Sequence, residues 1–277
     1  MAVRVLRDTP DLPTELLWNL TLRELRGKFK RSALGWLWSI INPLAMIGVY
    51  SLVFGVFFQV TPPVGDPSGL HTYGFFLVCG LLPWTFLTNA LSGSAQSITA
   101  NEGLVKKVYF PRAVLPGAST LAWLANFGVE LAVLGIVLLI AGNMVIPWIP
   151  VVLVLMALQT VFVFGIGLLL AAGNSYFRDV QHFLGIALNI WFYATPILYP
   201  VEQVPEKETL FGVSLPLRDM LALNPMAIFV DAYRDVLYNL RWPTFGQWSA
   251  LVLMAAVSLA VGAWVFSRLE PNLAEEL

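Results

Sequence analysis

Long apolar stretches without charged side chains dominate the pattern of this chain. No Asp, Glu, Lys or Arg occurs from Ser32 to Gly65, from Leu131 to Phe177 or from Trp242 to Ser267. A helix rises ~1.5 Å per residue, so ~20 apolar residues cross the ~30 Å hydrocarbon core of a bilayer. The pattern therefore predicts an all-α membrane protein that crosses the bilayer several times.

Six transmembrane helices account for the apolar stretches, with polar or proline-containing breaks between them. Their predicted bounds are about 35–59, 73–97, 115–140, 148–173, 182–199 and 248–267. Gly142, Asn143 and Pro147 predict a tight turn between the third and fourth helices. We expect one domain over 1–277, with a cytoplasmic or interfacial segment at 1–31, five spans in 35–199, an outside loop at 200–247 and the last span at 248–267.

The basic residues predict the orientation of these helices. Twelve of the 16 Lys and Arg residues lie before the first span, in the even-numbered loops or in the C-terminal tail. The first two odd-numbered loops, 60–72 and 142–147, contain none. Because Lys and Arg accumulate in cytoplasmic loops, both termini are predicted to be cytoplasmic.

An amphipathic segment precedes the first span. Apolar and basic side chains recur at helical spacing on separate faces of 14–31, the apolar ones being Trp18, Leu22, Leu25 and Phe29 and the basic ones Arg23, Arg26 and Lys30. This pattern predicts a helix that lies in the cytoplasmic headgroup layer, with its basic side chains toward anionic lipid. A basic flank that only orients the first span is the alternative.

Two further segments are not simple spans. The cytoplasmic stretch Asn101 to Arg112 is short and amphipathic, and it suits a short helix that docks into a groove of a soluble partner; the alternative is a solvated connector. The outside loop contains two short apolar pieces, 210–217 and 220–230, broken by Pro216 and Pro225. Such pieces indicate a re-entrant excursion buried in protein, although a small extracellular cap has the same pattern.

Few residues in this chain point to catalysis or to a cofactor. The sequence lacks a G-x-x-x-x-G-K-[ST] loop, and its two histidines, His71 and His182, lack metal-ligand spacing. The single cysteine, Cys79, excludes an internal disulfide. Glu130 is the only acid deep in a predicted span, so it should face the bundle interior or water, as a contact between helices or as part of a pathway. We expect this chain to bind no metal and no cofactor.

Aromatic residues make up 13% of the chain, and many lie within the spans. An aromatic ring face offers an apolar surface with a negative quadrupole, which suits the C–H groups of sugars. The candidates for such a channel are Trp36, Trp38, Tyr50, Phe54, Phe57, Trp84, Phe86, Trp191 and Tyr193. Packing against lipid or within the core is the alternative for each ring.

Five short motifs, in order along nearly the whole chain, resemble the ABC-2 type polysaccharide export permeases. They are KRSALGWLW at 30–38 with Asn42-Pro43, NEGLVKKVYFP at 101–111, YFRDV at 176–180, PILY at 196–199, and LNP at 223–225 with Tyr233-Arg234. These permeases export undecaprenyl-linked glycans such as O-antigen, or teichoic acids.

The resemblance implies a homodimer of six-helix subunits in the bacterial inner or plasma membrane. Two copies of a separate ATPase would hold ATP and Mg, so this chain would be a transport subunit rather than an enzyme, with no nucleic-acid partner. It implies an ATPase-coupling segment formed by Asn101, Glu102, Leu104, Val105, Lys106, Lys107, Val108, Tyr109, Phe110 and Pro111. We expect the pyrophosphate of the lipid-linked polysaccharide to approach the basic residues Arg23, Arg26, Lys28, Lys30 and Arg31.

Three other functions stay open at this point. An ABC-2 permease for a small molecule would share the fold and the ATPase. An ATP-independent flippase or a secondary carrier predicts more intramembrane charges and inverted repeats. A membrane transferase acting on a polyprenyl lipid needs an acid or histidine constellation, for which Asp179 and His182 are the nearest candidates.

Overall fold

The computed structural model describes residues 12–28, 34–60, 63–201, 204–206, 208–210 and 213–273. Within these ranges the regular secondary structure is helical apart from one β-hairpin, and loops connect the elements. The helices are α1 (Leu12–Lys28), α2 (Trp38–Tyr50), α3 (Tyr73–Ser97), α4 (Glu102–Val105), α5 (Val114–Ile140), α6 (Ile149–Tyr176), α7 (Val180–Tyr193), α8 (Leu217–Ala222), α9 (Pro225–Arg234) and α10 (Phe245–Leu269). The hairpin strands are β1 (Glu208–Leu210) and β2 (Val213–Leu215).

Five helical stretches of the described chain are long and apolar enough to cross a membrane. They are Gly35–Phe57, Tyr73–Ser97, Val114–Ile140, Ile146–Tyr176 and Phe245–Asn272. The first of these contains α2 and continues as a π-helical turn, Ser51–Phe57. The five stretches coincide with predicted spans one to four and six.

The predicted fifth span is shorter than expected. It corresponds to α7, which has 14 residues and is therefore ~21 Å long at ~1.5 Å per residue. The helix ends at Tyr193, three residues before Pro196, because proline disfavours a helical conformation in the residue that precedes it. The prediction of one continuous helix over 182–199 is therefore corrected to a helix that ends at Tyr193.

Side-chain hydrogen bonds identify which helix ends lie together. Asn174, near the end of α6, donates to the carbonyl oxygen of Ala95 at 2.9 Å. The hydroxyl of Tyr176 donates to the carbonyl of Leu269 at 3.2 Å. The ends of α3, α6 and α10 therefore lie together, at what we name the inner end. At the opposite, outer end, the Tyr73 hydroxyl donates to the carbonyl of Leu198 at 2.5 Å.

Helix α9 lies inside the bundle instead of on its surface. Asn224 caps its start by accepting a hydrogen bond from the Met226 amide at 3.0 Å, and Pro225 occupies the first turn. The ring of Phe229 lies 5.6 Å from that of Phe162, near the middle of α6. Tyr233 lies 5.9 Å, between ring centroids, from Phe127 of α5. The predicted apolar piece 220–230 is thus divided, with 220–222 at the end of α8 and 225–230 in the buried helix α9.

The other predicted apolar piece, 210–217, is not a helix. Among its described residues, Leu210 and Val213–Leu215 lie in the β-hairpin, in which Glu208 pairs with Leu215 and Leu210 with Val213. The β-branched residues Thr209 and Val213 favour strand over helix. Of the two re-entrant helices expected, the first is therefore replaced by a hairpin followed by the short helix α8.

Helices α6 and α10 cross with almost no space between their backbones. A Cβ atom placed on Gly262 would overlap the backbone of Gly165, and one on Gly165 would overlap the backbone of Ser258. The Ser258 hydroxyl donates to the carbonyl of Phe162 at 2.7 Å across this crossing. Small residues allow such a close approach, which strengthens van der Waals contact between helices in a membrane.

The close crossing makes Gly262→Ala destabilising. The added methyl group must separate two backbones, and we expect a cost of ~1–3 kcal/mol. Heating the protein in detergent and measuring the monodisperse fraction by gel filtration gives the unfolding midpoint. Gly135→Ala is the control, because a Cβ there meets only Val145 at an ordinary 3.9 Å. Equal midpoints for the two variants would contradict the prediction.

Candidate functional site

The segment between α3 and α5 is an ordered projection at the inner end. Its helix, α4, ends at Val105, so it is shorter than the helix expected over Asn101 to Arg112. The Lys106 amine lies 2.6 Å from the Glu102 carboxylate, one turn away, and this contact lowers the pKa of Glu102. Asn101 donates from its side chain to the Ser97 carbonyl at 2.8 Å, which joins the segment to the end of α3.

Two distant parts of the chain brace this segment. Arg23 of α1 donates to the side-chain oxygen of Asn101 at 2.6 Å. The backbone amide of Arg112 donates to the Glu270 carboxylate at 2.8 Å, and the Arg112 guanidinium donates to the Glu270 carbonyl. Glu270 directly follows α10, so these contacts join the segment to the first and last α-helices of the described chain.

The segment has a buried side and an exposed side. Val105 is buried, and the half-buried Leu104 and Phe110 pack beside it against a cluster that includes Leu20 and Leu115. The side chains that face outward are those of Lys106, Lys107, Val108 and Tyr109, with Tyr109 79% exposed. We name these four residues the docking face. Pro111 is exposed next to it, and Asn101 and Glu102 are half-buried behind it.

The basic residues of α1 do not form a single cluster. Arg23 and Arg26 are exposed. The amine of Lys28 is instead buried against α5, 3.1 Å from the centroid of the Trp123 ring. Lys28 therefore differs from the other two in burial, and the role of all three in receiving a pyrophosphate stays a prediction. Lys30 and Arg31 lie outside the described residues.

Helix α1 has apolar side chains on two sides, of which one is packed against the protein and the other includes an exposed tryptophan. Leu20 is buried and, with Leu16 and Leu17, packs against α5, a side that the sequence pattern did not single out. Trp18, on the predicted apolar face, is exposed. This leaves Trp18 free to face lipid, as a helix at the membrane interface requires. Phe29 lies outside the described residues.

The nine candidate channel aromatics fall into three groups. Trp36, Trp38, Phe57 and Tyr193 are exposed, and Tyr50, Phe54 and Trp191 are half-buried. Trp84 is buried edge-on to Trp191 at 5.8 Å between ring centroids. Phe86 is only 2% exposed and stacks on Phe127 at 4.9 Å, so it belongs to the core and cannot line a channel on the subunit surface.

Glu130 faces the interior, as expected. It is 6% exposed and accepts a hydrogen bond from the Asn126 side chain at 2.7 Å. Asn126 in turn accepts one from the Ser39 hydroxyl at 2.7 Å, which ties α5 to α2. Asp179 and His182, the transferase candidates, are exposed at the start of α7.

Lys28 gives the stability of the fold a dependence on pH. Burial lowers the pKa of its amine from the ordinary 10.5 to about 7, against the opposing effect of Glu24 and Glu130. Between these two values the unfolded chain binds more protons at this group than the folded protein, so the free energy of unfolding rises with pH. Below about pH 7 both states are protonated, and this contribution is constant.

We therefore expect the wild type to gain stability relative to Lys28→Met as the pH rises from about 7 to about 10. The measurement is the unfolding midpoint of both proteins, in the same detergent, at several pH values. Lys107→Met, which removes an exposed amine, is the control. If the difference in unfolding midpoint between the wild type and Lys28→Met stayed constant with pH, the buried position of the amine would be refuted.

The chain resembles known membrane permeases over most of its length. Residues 15–238 match the family described as ABC-2 type transporter. The chain is 32% identical to the O-antigen export system permease protein RfbA of Myxococcus xanthus, over 95% of each protein. It is 28% identical to RfbA of Klebsiella pneumoniae, again over 95% of each. The polysialic acid transport protein KpsM of Escherichia coli is 27% identical over 76% of this chain and 79% of its own length.

Proposed function

Because this chain belongs to the ABC-2 type transporter family, we propose that it is the membrane subunit of an exporter for a lipid-linked polysaccharide. A separate ATPase, in two copies, would bind ATP and Mg and supply the energy. The polysaccharide cargo is inferred from relatives whose names refer to O-antigen export and polysialic acid transport. The lipid carrier would be of the undecaprenyl-pyrophosphate type.

The observation that carries this proposal is the docking face and its two braces. Lys106 to Tyr109 project from a segment whose other side is held by α1 and by Glu270. A soluble ATPase that grips these residues can therefore move two membrane-associated helices at once. An exposed aromatic ring that follows two exposed lysines is well suited to a groove on such a partner.

We infer that the chain crosses the membrane six times, although α7 is short. Asn174 fixes the end of α6 beside Ala95, at the inner end of α3. The carbonyl of Leu198 reaches Tyr73, at the outer end of α3. The stretch from α7 to Leu198 thus runs the length of a helix that is itself a candidate span. Six crossings place both termini on one side, and the basic residues at the inner end favour the cytoplasm.

We further propose that α9 is a re-entrant helix near the exit of the channel. Its contacts with Phe162 and Phe127 place Phe229 and Tyr233 beside the middle of two spans. Backbone that turns back at membrane depth is tolerated only when protein surrounds it, and α9 meets this condition because most of its side chains are buried.

The channel in this proposal forms between two copies of the chain. One face of α7 carries Phe183, Ile186, Ile190 and Tyr193, all exposed in the single subunit. Trp36 and Phe57, at the two ends of the first span, are also exposed. A homodimer that joins these surfaces would place several of the candidate aromatics along a shared path, where ring faces can contact a moving sugar chain.

Exposed basic residues of α1 are proposed to receive the pyrophosphate of the lipid carrier. We expect Arg26→Glu to lower export about 30-fold, since a basic residue near an anionic headgroup contributes about 1 kcal/mol and reversal doubles the change to about 2 kcal/mol. The readout is polymer appearing outside the cell per unit of protein in the membrane. Arg268→Glu, an exposed charge reversal at the same end, is the control. Normal export by Arg26→Glu would refute the headgroup role.

The test of the whole proposal is purification of this chain in mild detergent from its native host, followed by mass spectrometry. An ATPase with Walker motifs in equal amount, together with ATP-dependent release of polymer from vesicles containing both proteins, is the expected result. An intact, folded chain without such a partner would refute the proposal. It would favour an ATP-independent flippase or carrier instead.

A further inference from the structure

A cavity with both polar and apolar walls lies between α1, α2, α3 and α5. Its volume is about 300 Å³, at the small end of the ~300–1,000 Å³ typical of ligand sites. Its polar lining consists of Lys28, Trp38, Ser39, Asn42, Thr85, Asn89, Trp123, Asn126 and Glu130. Because Trp38 lines this cavity, it is available to a ligand there rather than only to a channel between subunits.

The amine of Lys28 can donate hydrogen bonds that no acceptor among the described residues receives. Its amine nitrogen is fully buried yet donates no hydrogen bond within the described chain, and it lies 3.1 Å from the centroid of the Trp123 ring. A buried amine left in this state is costly, because water has been removed and nothing has replaced it. An anionic oxygen in the cavity would complete its hydrogen bonding.

Glu130 adds a carboxyl group, a hydrogen-bond acceptor, to the cavity that also contains the amine of Lys28. Its carboxylate accepts from Asn126, and the ion pairs found among the described residues do not include one with Lys28. The two groups therefore line one cavity without forming an ion pair with each other. Asn42, Asn89 and Thr85 line the same space. A simple anion would meet the carboxylate, so the ligand must carry hydroxyl donors as well as negative charge.

These side chains together match one class of ligand. Carboxylates and amides bind sugar hydroxyls, an indole face packs on sugar C–H groups, and an ammonium binds phosphate oxygens. We propose that the cavity binds a sugar phosphate, with the phosphate at Lys28 and the hydroxyls at Glu130. In the exporter proposed above, on which this step rests, the ligand is the first sugar and phosphate of the lipid-linked polymer.

A neighbouring cavity gives this site a connection to the docking segment. It has a volume of about 240 Å³, shares Lys28 and Trp123 with the first, and extends past Glu24 to Asn101. Asn101 is the residue that Arg23 and Ser97 hold in place. A ligand at Lys28 thus lies one cavity away from the segment that would meet the ATPase.

The test is direct binding to the full-length chain in lipid nanodiscs, alone and in complex with its ATPase. The probes are N-acetylglucosamine 1-phosphate, a short-chain polyprenyl-pyrophosphoryl-N-acetylglucosamine, and inorganic pyrophosphate. We expect the lipid-linked probe to bind, and Lys28→Met and Glu130→Gln each to weaken it about tenfold or more, as loss of a hydrogen bond to a charged group predicts. Inorganic pyrophosphate should bind poorly to the wild type.

Arg268→Met is the matched control, because it removes a cation that lies 5.7 Å from a tryptophan ring outside the cavity. Trp123→Phe keeps an aromatic ring in place and should weaken binding even if Lys28→Met fails to fold. Binding of both the free and the lipid-linked sugar phosphate would support the site. It would also show that the sugar phosphate alone is sufficient for binding, without the lipid. Wild-type affinity in Lys28→Met, Glu130→Gln and Trp123→Phe, or no binding of either sugar probe, would overturn the proposal.

The outcome is separable from that of the proposed function. An ATPase that co-purifies and drives export while neither sugar probe binds would leave the exporter intact and exclude this cavity as a site. Binding that depends on Lys28 and Glu130, in a chain that recruits no ATPase, would support the site and refute the exporter.

Discussion

The Tyr109→Asp variant should lose ATP-driven export almost completely while inserting into the membrane normally. The Tyr109 ring is 79% exposed in the subunit, so the fold does not depend on it. In a partner groove, a buried aromatic anchor contributes about 2–4 kcal/mol, which corresponds to roughly 30- to 1,000-fold in affinity. An aspartate there also places an unpaired charge in the interface, which adds a desolvation cost.

The measurement for Tyr109→Asp has two parts. The amount of ATPase that co-purifies with the variant reports docking, and polymer export by the same cells reports transport. Val64→Asp is the control, because it places an acid at an exposed apolar position near the outer end, away from the docking face. Normal recovery of the ATPase with Tyr109→Asp would show that the partner binds elsewhere.

Arg234→Met should unfold the outer end of the bundle. The guanidinium is 4% exposed and donates to the carbonyl oxygens of Phe76 at 3.3 Å, Pro196 at 2.6 Å and Ile197 at 2.6 Å. It also stacks 3.7 Å from the centroid of the Phe76 ring. Its removal leaves three buried acceptors to be satisfied elsewhere, at about 1–3 kcal/mol for each one that remains unpaired.

The unfolding midpoint in detergent tests this second prediction, and two variants sharpen it. Arg218→Met removes a partly exposed arginine of the same loop, whose ion pair with Glu206 contributes about 0–1 kcal/mol. Arg234→Lys keeps the charge but replaces the planar fork with a single nitrogen, so its midpoint should lie between those of the wild type and Arg234→Met. A midpoint for Arg234→Met no lower than that for Arg218→Met would contradict the structural role assigned to the buried guanidinium.

The spans were predictable because the bilayer imposes a strong and simple requirement on the chain. A run such as 131–177, without a charged side chain, can form only membrane-embedded helices, and the structure contains α5 and α6 there. The length of α7 was less predictable, because apolar residues continue past the point at which Pro196 ends the helix. Hydropathy reports the apolar run, whereas the helix boundary depends on one proline.

Candidate site residues were harder to place for a different physical reason. In a membrane protein the core, the lipid-facing surface and an aromatic channel are all apolar, so composition does not distinguish Phe86 in the core from Tyr193 on the surface. The segment 101–112 was identifiable as a connection between two spans because it combines charged and apolar side chains, and its docking role stays a prediction. The inward turn of Lys28 could not be foreseen, since it depends on a cavity that four separate helices form.

The contact between Arg112 and Glu270 also sets an order of events during biosynthesis. The two residues are 158 positions apart, and a ribosome adds roughly 5–20 residues per second, so Glu270 follows Arg112 by about 8–30 s. A nascent chain that has already displayed its docking segment therefore lacks one of the two braces until the final helix has been made. An ATPase that requires the braced segment would not bind truncated or incomplete chains. Binding of the ATPase would then serve as a checkpoint on complete translation.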